Sequence, residues 1–86
     1  MPEISRFYGI VIAMFYNEHN PPHFHVSYGE YKAVIRIKDF GIAEGSLPPK
    51  ALALVTEWTS KHQQELLIDW ELAEEKKQLI KIEPLF

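Results

Sequence analysis

Two neighbouring segments of the chain alternate between apolar and polar residues with the period of a β-strand. They span residues 23–28 and 31–38, and only Gly29-Glu30 separates them. Glycine at the first position of a two-residue loop is typical of a type II′ hairpin. The resulting register pairs apolar residues on one side of the sheet: Tyr28 with Tyr31, Val26 with Ala33, and Phe24 with Ile35. On the other side it pairs mostly polar residues: Ser27 with Lys32, His25 with Val34, and His23 with Arg36.

The segments around this hairpin predict further strands and a loop. Residues 4–16 are apolar on both faces, which predicts one long strand that is central in a sheet or covered on both sides. On this strand Phe7, Val11 and Phe15 would face one way, and Tyr8, Ile10, Ile12 and Met14 the other. Two prolines make residues 17–22 a loop. Residues 39–47 contain two glycines and leave room for a short fourth strand or a loop.

The second half of the chain has a helical pattern. Residues 50–82 contain neither glycine nor proline, and Pro48-Pro49 is suited to open a helix. We predict helices over residues 49–59 and 61–77, separated near a capping box formed by Ser60 and Gln63. Residues 79–83 alternate enough to predict a short closing strand.

These elements predict an α+β fold in a single domain, residues 1–86. An antiparallel sheet of three to five strands, rich in β-hairpins and drawn from the N-terminal half, would pack with two helices and a short C-terminal strand. A chain of 86 residues has the size of one domain with one core.

Composition narrows the chemistry and the location. The absence of cysteine excludes disulfides, thiolate metal ligands and a cysteine nucleophile. A net charge of −3 means that nucleic-acid binding would have to rest on a local basic patch. No stretch approaches the ~20 apolar residues of a membrane span, and no signal peptide is evident. We therefore expect a cytoplasmic protein without membrane contact.

Three of the four histidines, His19, His23 and His25, fall within seven residues. Residues two apart in a strand share a face, so His23 and His25 can present both rings to one atom. With His19 as third ligand, or Glu18 or Glu30 as carboxylate, they would form an open site for zinc or iron. Alternatively, these histidines only stack on aromatic rings and bond to the backbone, or they serve binding or catalysis without a metal.

The polar face of the predicted hairpin is a second candidate. It carries His23, His25, Ser27, Lys32 and Arg36, which could hold a phosphate group or an RNA backbone. A nearby tyrosine such as Tyr28 could stack on a base. The alternative is a solvated sheet face with no ligand.

Several of these motifs together resemble a bacterial family, domain of unknown function 4160. The similarity rests on Ser5-Arg6-Phe7-Tyr8-Gly9-Ile10-Val11-Ile12, on His19 with Pro21-Pro22-His23-Phe24-His25, and on Tyr28-Gly29-Glu30-Tyr31. It extends through Leu47-Pro48, Ala51-Leu52, Glu57-Trp58, Glu65-Leu66 and Trp70 to Ile82, Pro84 and Leu85. Genes of this family commonly neighbour or fuse with domain of unknown function 2442, in an arrangement similar to toxin–antitoxin modules. The resemblance thus implies a small protein partner encoded nearby and an RNA or translation target.

The leading hypothesis is a small partner-binding protein of a toxin–antitoxin-like pair. Whether it is an enzyme stays open: in a ribonuclease version His23 or His25 would transfer protons, and Arg36 or Lys32 would stabilise the developing charge. One competing class is a metal-binding protein or metal-dependent enzyme that uses His19, His23 and His25. Another is a purely structural interaction domain. The apolar faces of residues 4–16 also predict that a partner, or a second copy in a homo-oligomer, covers part of the surface.

Overall fold

The structure, a computed structural model, describes residues 2–85. This part of the chain contains five antiparallel strands followed by two helices. The elements are β1 (Glu3–Phe7), β2 (Ile10–Ala13), β3 (His23–Tyr28), β4 (Tyr31–Arg36), β5 (Ile42–Gly45), α1 (Pro49–Lys61) and α2 (Gln63–Glu74). The order of strands in the sheet is β1-β2-β3-β4-β5, so each strand pairs with its neighbour in the chain. The predicted α+β class, with the strands in the N-terminal half, is confirmed.

The β3–β4 hairpin has the predicted register at every position. His23 pairs with Arg36 at one end, and Tyr28 pairs with Tyr31 at the other. Gly29 has a φ of +56° as the first loop residue, and Glu30 is not left-handed, which matches a type II′ turn. Phe24 and Val26 are buried against the core, whereas His23 and His25, which alternate with them along β3, lie on the opposite face.

The prediction of one long strand over residues 4–16 is wrong, because the chain reverses at Tyr8-Gly9. These residues have φ of +50° and +78°, and positive φ at both loop positions is the signature of a type I′ hairpin. Phe7 therefore pairs with Ile10 across the turn, and both are buried. The apolar residues of this segment fall on both faces only if residues 4–16 are taken as one strand. The reversal divides them between β1 and β2.

The first helix begins at Pro49 as predicted, whereas the second helix ends earlier than predicted. The Ser60–Gln63 capping box is absent: the Ser60 hydroxyl donates to the Glu57 carbonyl, and the Gln63 amide donates to the Ile37 carbonyl at 2.9 Å. The second helix ends at Glu74 rather than at residue 77, and Lys76 takes a left-handed φ of +58°.

The predicted closing strand over residues 79–83 does not form. The Ile82 amide donates to the Ile4 carbonyl at 2.8 Å, so this segment runs beside β1 with a single backbone hydrogen bond. Residues 42–45, predicted as either strand or loop, form the edge strand β5, and all four are exposed.

The core lies between α1 and one face of the sheet. Trp58 of α1 is fully buried, with its ring centroid 5.5 Å from that of Phe7 and 6.0 Å from that of Phe24. Its indole N–H donates to the Glu83 carbonyl at 2.8 Å, which fastens the C-terminal segment to the core. Neither α1 nor α2 has the length and apolar character needed to cross a bilayer.

Candidate functional site

Two strand residues and one loop residue place their side chains around a common point. His23 and His25 are the first and third residues of β3, so their rings leave the same face of the sheet. Glu18 approaches from the connection between β2 and β3. Its Oε1 lies 2.6 Å from His25 Nε2 and 3.2 Å from His23 Nε2. These three residues, called here the Glu18–His23–His25 cluster, bring one potential ligand atom each within 4.8 Å of one another.

Aromatic rings fix the orientation of both histidines. The His25 ring meets Phe15 edge-on at a centroid distance of 4.4 Å, and the His23 ring packs on Trp70 of α2 at 5.0 Å. The cluster still reaches solvent, since the side chains of His25 and Glu18 are 29% and 27% exposed. The site is therefore packed against aromatic rings on one side and open to solvent on the other.

The hydrogen bonds of His23 define which ring nitrogen carries a proton. Its Nδ1 lies 2.8 Å from the Pro21 carbonyl oxygen, which can only accept, so Nδ1 must donate. In the neutral ring Nε2 then has a lone pair, which faces the carboxylate oxygen of Glu18. Two acceptors at 3.2 Å repel each other unless a hydrogen or a metal ion lies between them.

Other residues predicted for this site lie elsewhere. His19 is exposed and does not belong to the cluster, although Glu18, its neighbour, does. Arg36 pairs with His23 in register, but its Nε donates to Asp39 Oδ1 at 3.0 Å. The Gly41 backbone N–H and the Arg36 guanidinium together hold the pKa of Asp39 below its ordinary value. Arg36 is therefore already paired with a carboxylate rather than free for a phosphate.

The remaining predicted residues divide between two surfaces. Ser27 and Lys32 line a cavity of about 380 Å³ together with His25, so they adjoin the cluster along the sheet. Tyr28 lies on the opposite face and lines a different cavity. Lys32 forms no ion pair among the residues that the structure describes.

The sequence pattern does not predict the two aromatic residues that contact the histidines. Phe15 follows β2, and Trp70 comes from a helix far along the chain, where its spacing indicates only a core residue. Alternation within β3 locates His23 and His25, whereas a contact between a strand and a distant helix leaves no local pattern.

Fold and cluster together define the class: a small α+β domain with a histidine–histidine–carboxylate cluster on one face of a meandering antiparallel sheet. The chain belongs to the family described as Domain of unknown function (DUF4160), whose family model matches residues 9–71. The matched range includes the whole cluster and Trp70. No curated protein and no solved structure matches the chain.

Proposed function

We propose that this domain binds a divalent transition-metal ion, zinc or iron(II), through the Glu18–His23–His25 cluster. The observation that carries the proposal is the convergence of one ring nitrogen each of His23 and His25 and a Glu18 carboxylate oxygen within 4.8 Å. Two imidazoles and one carboxylate are the ligand set of open zinc sites and of non-haem iron sites. Such a set leaves coordination positions for water or for a substrate.

The distances support a cation at this point. Metal–ligand bonds of about 2.1 Å that meet at 90–110° place two ligand atoms about 3.0–3.4 Å apart. The Glu18–His23 separation of 3.2 Å already fits, and the Glu18–His25 separation of 2.6 Å would have to widen by about half an ångström. Both distances between the carboxylate oxygen and an imidazole nitrogen are therefore within about half an ångström of those for ligands of one ion.

The hydrogen bond from His23 Nδ1 to the Pro21 carbonyl supports the same proposal. Histidines that bind metals usually donate their second ring N–H to a carbonyl or carboxylate, which fixes the ring and selects the binding nitrogen. The hydrogen bond donated by Nδ1 leaves Nε2 as the nitrogen of His23 that can bind the ion.

The test is calorimetric titration of chelator-treated protein, purified without a histidine tag, with Zn²⁺ and, under argon, with Fe²⁺. We expect one ion per chain, and a loss of affinity of more than about 100-fold in Glu18→Gln and His25→Asn, since even residues that only orient ligands contribute 10–100-fold. His62→Asn is the matched control, because His62 also faces a glutamate, with Nδ1 2.6 Å from Glu65 Oε1. Binding that is absent, or that survives both cluster variants, would refute the proposal.

A second candidate is the partner-binding role, which the exposed strand β5 favours. All four of its residues are exposed, and neighbouring Tyr31 is 46% exposed. An open sheet edge can accept a strand from another protein. The family resemblance implies a toxin–antitoxin-like pair, in which any RNA contact on the histidine face would depend on Lys32, since Arg36 is paired with Asp39.

A further inference from the structure

A cavity of about 530 Å³ lies at the end of the sheet where the β1–β2 and β3–β4 turns meet α1. Tyr8 and Tyr28 form its aromatic side, and Leu54 and Ala51 of α1 form an apolar floor with Leu85. Tyr28 faces away from His23 and His25 on β3, so this cavity is distinct from the Glu18–His23–His25 cluster. Its volume is within the range of small-molecule sites, about 300–1,000 Å³.

Tyr8 adopts an unfavourable backbone conformation at this position. It is 59% exposed with a φ of +50°, a region where bulky residues are rare and where a type I′ turn usually has asparagine or glycine. The fold does not require an aromatic ring there, because the side chain does not enter the core. A residue kept in an unfavourable conformation at a cavity rim indicates a role for its ring.

Tyr28 stands close to the same turn. A side chain added at Gly9 would place its Cβ 3.7 Å from Tyr28 Cε1, so the ring of Tyr28 lies beside the turn that carries Tyr8. The two tyrosines therefore flank one opening, and a flat ring entering there would contact both.

The charges around the cavity are unequal. Lys50, Leu54 and Glu57 follow one face of α1, with Lys50 and Glu57 about 10 Å apart. The Glu57 carboxylate is paired with Lys61 at 3.4 Å. Lys50 forms no ion pair among the described residues. Within residues 2–85, one end of the cavity thus offers an ammonium group without an ion-pair partner.

We propose that this cavity binds a small aromatic anion, with its ring between Tyr8 and Tyr28 over Leu54 and its anionic group at Lys50. Two aromatic rings, an apolar floor and the ammonium group of Lys50 match a ligand with a flat ring and a phosphate or carboxylate. Nucleoside monophosphates and aromatic carboxylates share this chemistry, and the choice of probes separates them.

The test is a titration of ¹⁵N-labelled protein followed by amide chemical shifts. The probes are adenosine 5′-monophosphate and indole-3-acetate, with adenosine and inorganic phosphate as the matched halves of the first. We expect saturable shifts at Gly9, Ala51 and Leu54 with at least one of the two anions, weaker binding of adenosine, and no localised shifts with phosphate. If neither anion shifts these amides at millimolar concentration, or if adenosine binds as well as its monophosphate, the proposal is wrong.

Variants separate the ring from the charge. Tyr8→Asn removes an aromatic wall yet suits the left-handed turn, so it keeps the fold, and Lys50→Gln removes the cation. We expect each to weaken binding of the anion at least tenfold, while Tyr31→Asn and Lys32→Gln, on exposed residues outside this cavity, bind as wild type. Equal binding by all four variants would refute the assignment. Neither outcome depends on a metal at the histidine cluster.

Discussion

At the scale of single residues, the buried carboxylate of Asp69 is the clearest source of pH dependence. The residue is 1% exposed, and its Oδ1 accepts a hydrogen bond from the Ile80 amide at 2.9 Å. Oδ2 has no partner among the described residues. Burial therefore raises the pKa of Asp69, an effect that the Ile80 hydrogen bond only partly offsets.

The sign of the effect on stability follows from this shift. A folded pKa above the unfolded value of about 3.9 means that the folded state holds its proton longer, so stability falls as pH rises through the raised value. We expect the stability of Asp69→Asn relative to wild type to rise as pH increases from 3 to 7, because the variant has no buried carboxyl group that must lose its proton. Urea unfolding between pH 3 and pH 7 measures this difference. Glu71→Gln, an exposed change on the same helix, should leave the pH dependence unaltered; if Asp69→Asn behaves likewise, the burial argument fails.

Residue types and spacing predict part of the candidate site. His23 and His25 follow from alternation, and Glu18 is one of the two carboxylates that the sequence offers as a ligand. The third histidine and Arg36 were placed by proximity in sequence or across strands, and neither enters the cluster. Arg36 pairs with Asp39, which lies three residues later in the turn after β4. This local ion pair competes with a contact between Arg36 and His23 on the neighbouring strand.

At the scale of elements, the β4–β5 hairpin depends on Gly45. This residue has a φ of +77°, and an added Cβ would collide with the Lys32 carbonyl oxygen. Gly29 has a similar φ of +56° but open space around it. We expect Gly45→Ala to destabilise the fold by about 2 kcal/mol or more, and Gly29→Ala by about 1 kcal/mol, since the latter meets only the left-handed penalty. Chemical denaturation measures the loss of stability in each variant, and the difference between the two losses is the contribution of the collision with the Lys32 carbonyl. Equal losses of stability would contradict this explanation.

The elements themselves differ in how far sequence determines them. The β3–β4 hairpin was predicted residue by residue, because its alternation and its turn glycine agree. The β1–β2 turn was missed because Tyr8 stands where a turn usually shows asparagine. Helix ends were misplaced because tertiary contacts decide them: the Gln63 side chain, expected to cap α2, bonds instead to the carbonyls of Ile37 and Lys38.

At the scale of the whole molecule, the two edges of the sheet are unlike. The outer edge of β1 is partly covered by the segment around Ile82, whereas β5 is exposed along its length. The sequence predicts a partner because residues 4–16 would form one strand with two apolar faces. This reason does not hold, since these residues form the β1–β2 hairpin. The open edge of β5 is a better reason, because unpaired strand edges readily accept another strand.

We expect the protein, alone or mixed with the product of its neighbouring gene, to form a complex that light scattering detects. Ile42→Lys on β5 should abolish the complex, because an inserted charge opposes pairing at an edge. The matched control is Ile68→Lys, which changes an isoleucine that is 50% exposed on α2 and should leave the complex intact. A monomer that gains no mass on mixing would contradict the prediction.

The order of strands also affects how the chain reaches its native state. Every strand pairs with the next one in sequence, so each pairing closes a short loop and loses little chain entropy, as in fast-folding proteins with local contacts. Glu18 and His25 are only seven residues apart, so the connection from β2 to β3 can bring them together without either helix. The hydrogen bond between Ile82 and Ile4, by contrast, joins opposite ends of the chain. The half of the molecule that carries Glu18, His23 and His25 can therefore order first, and attachment of the C-terminal segment completes folding.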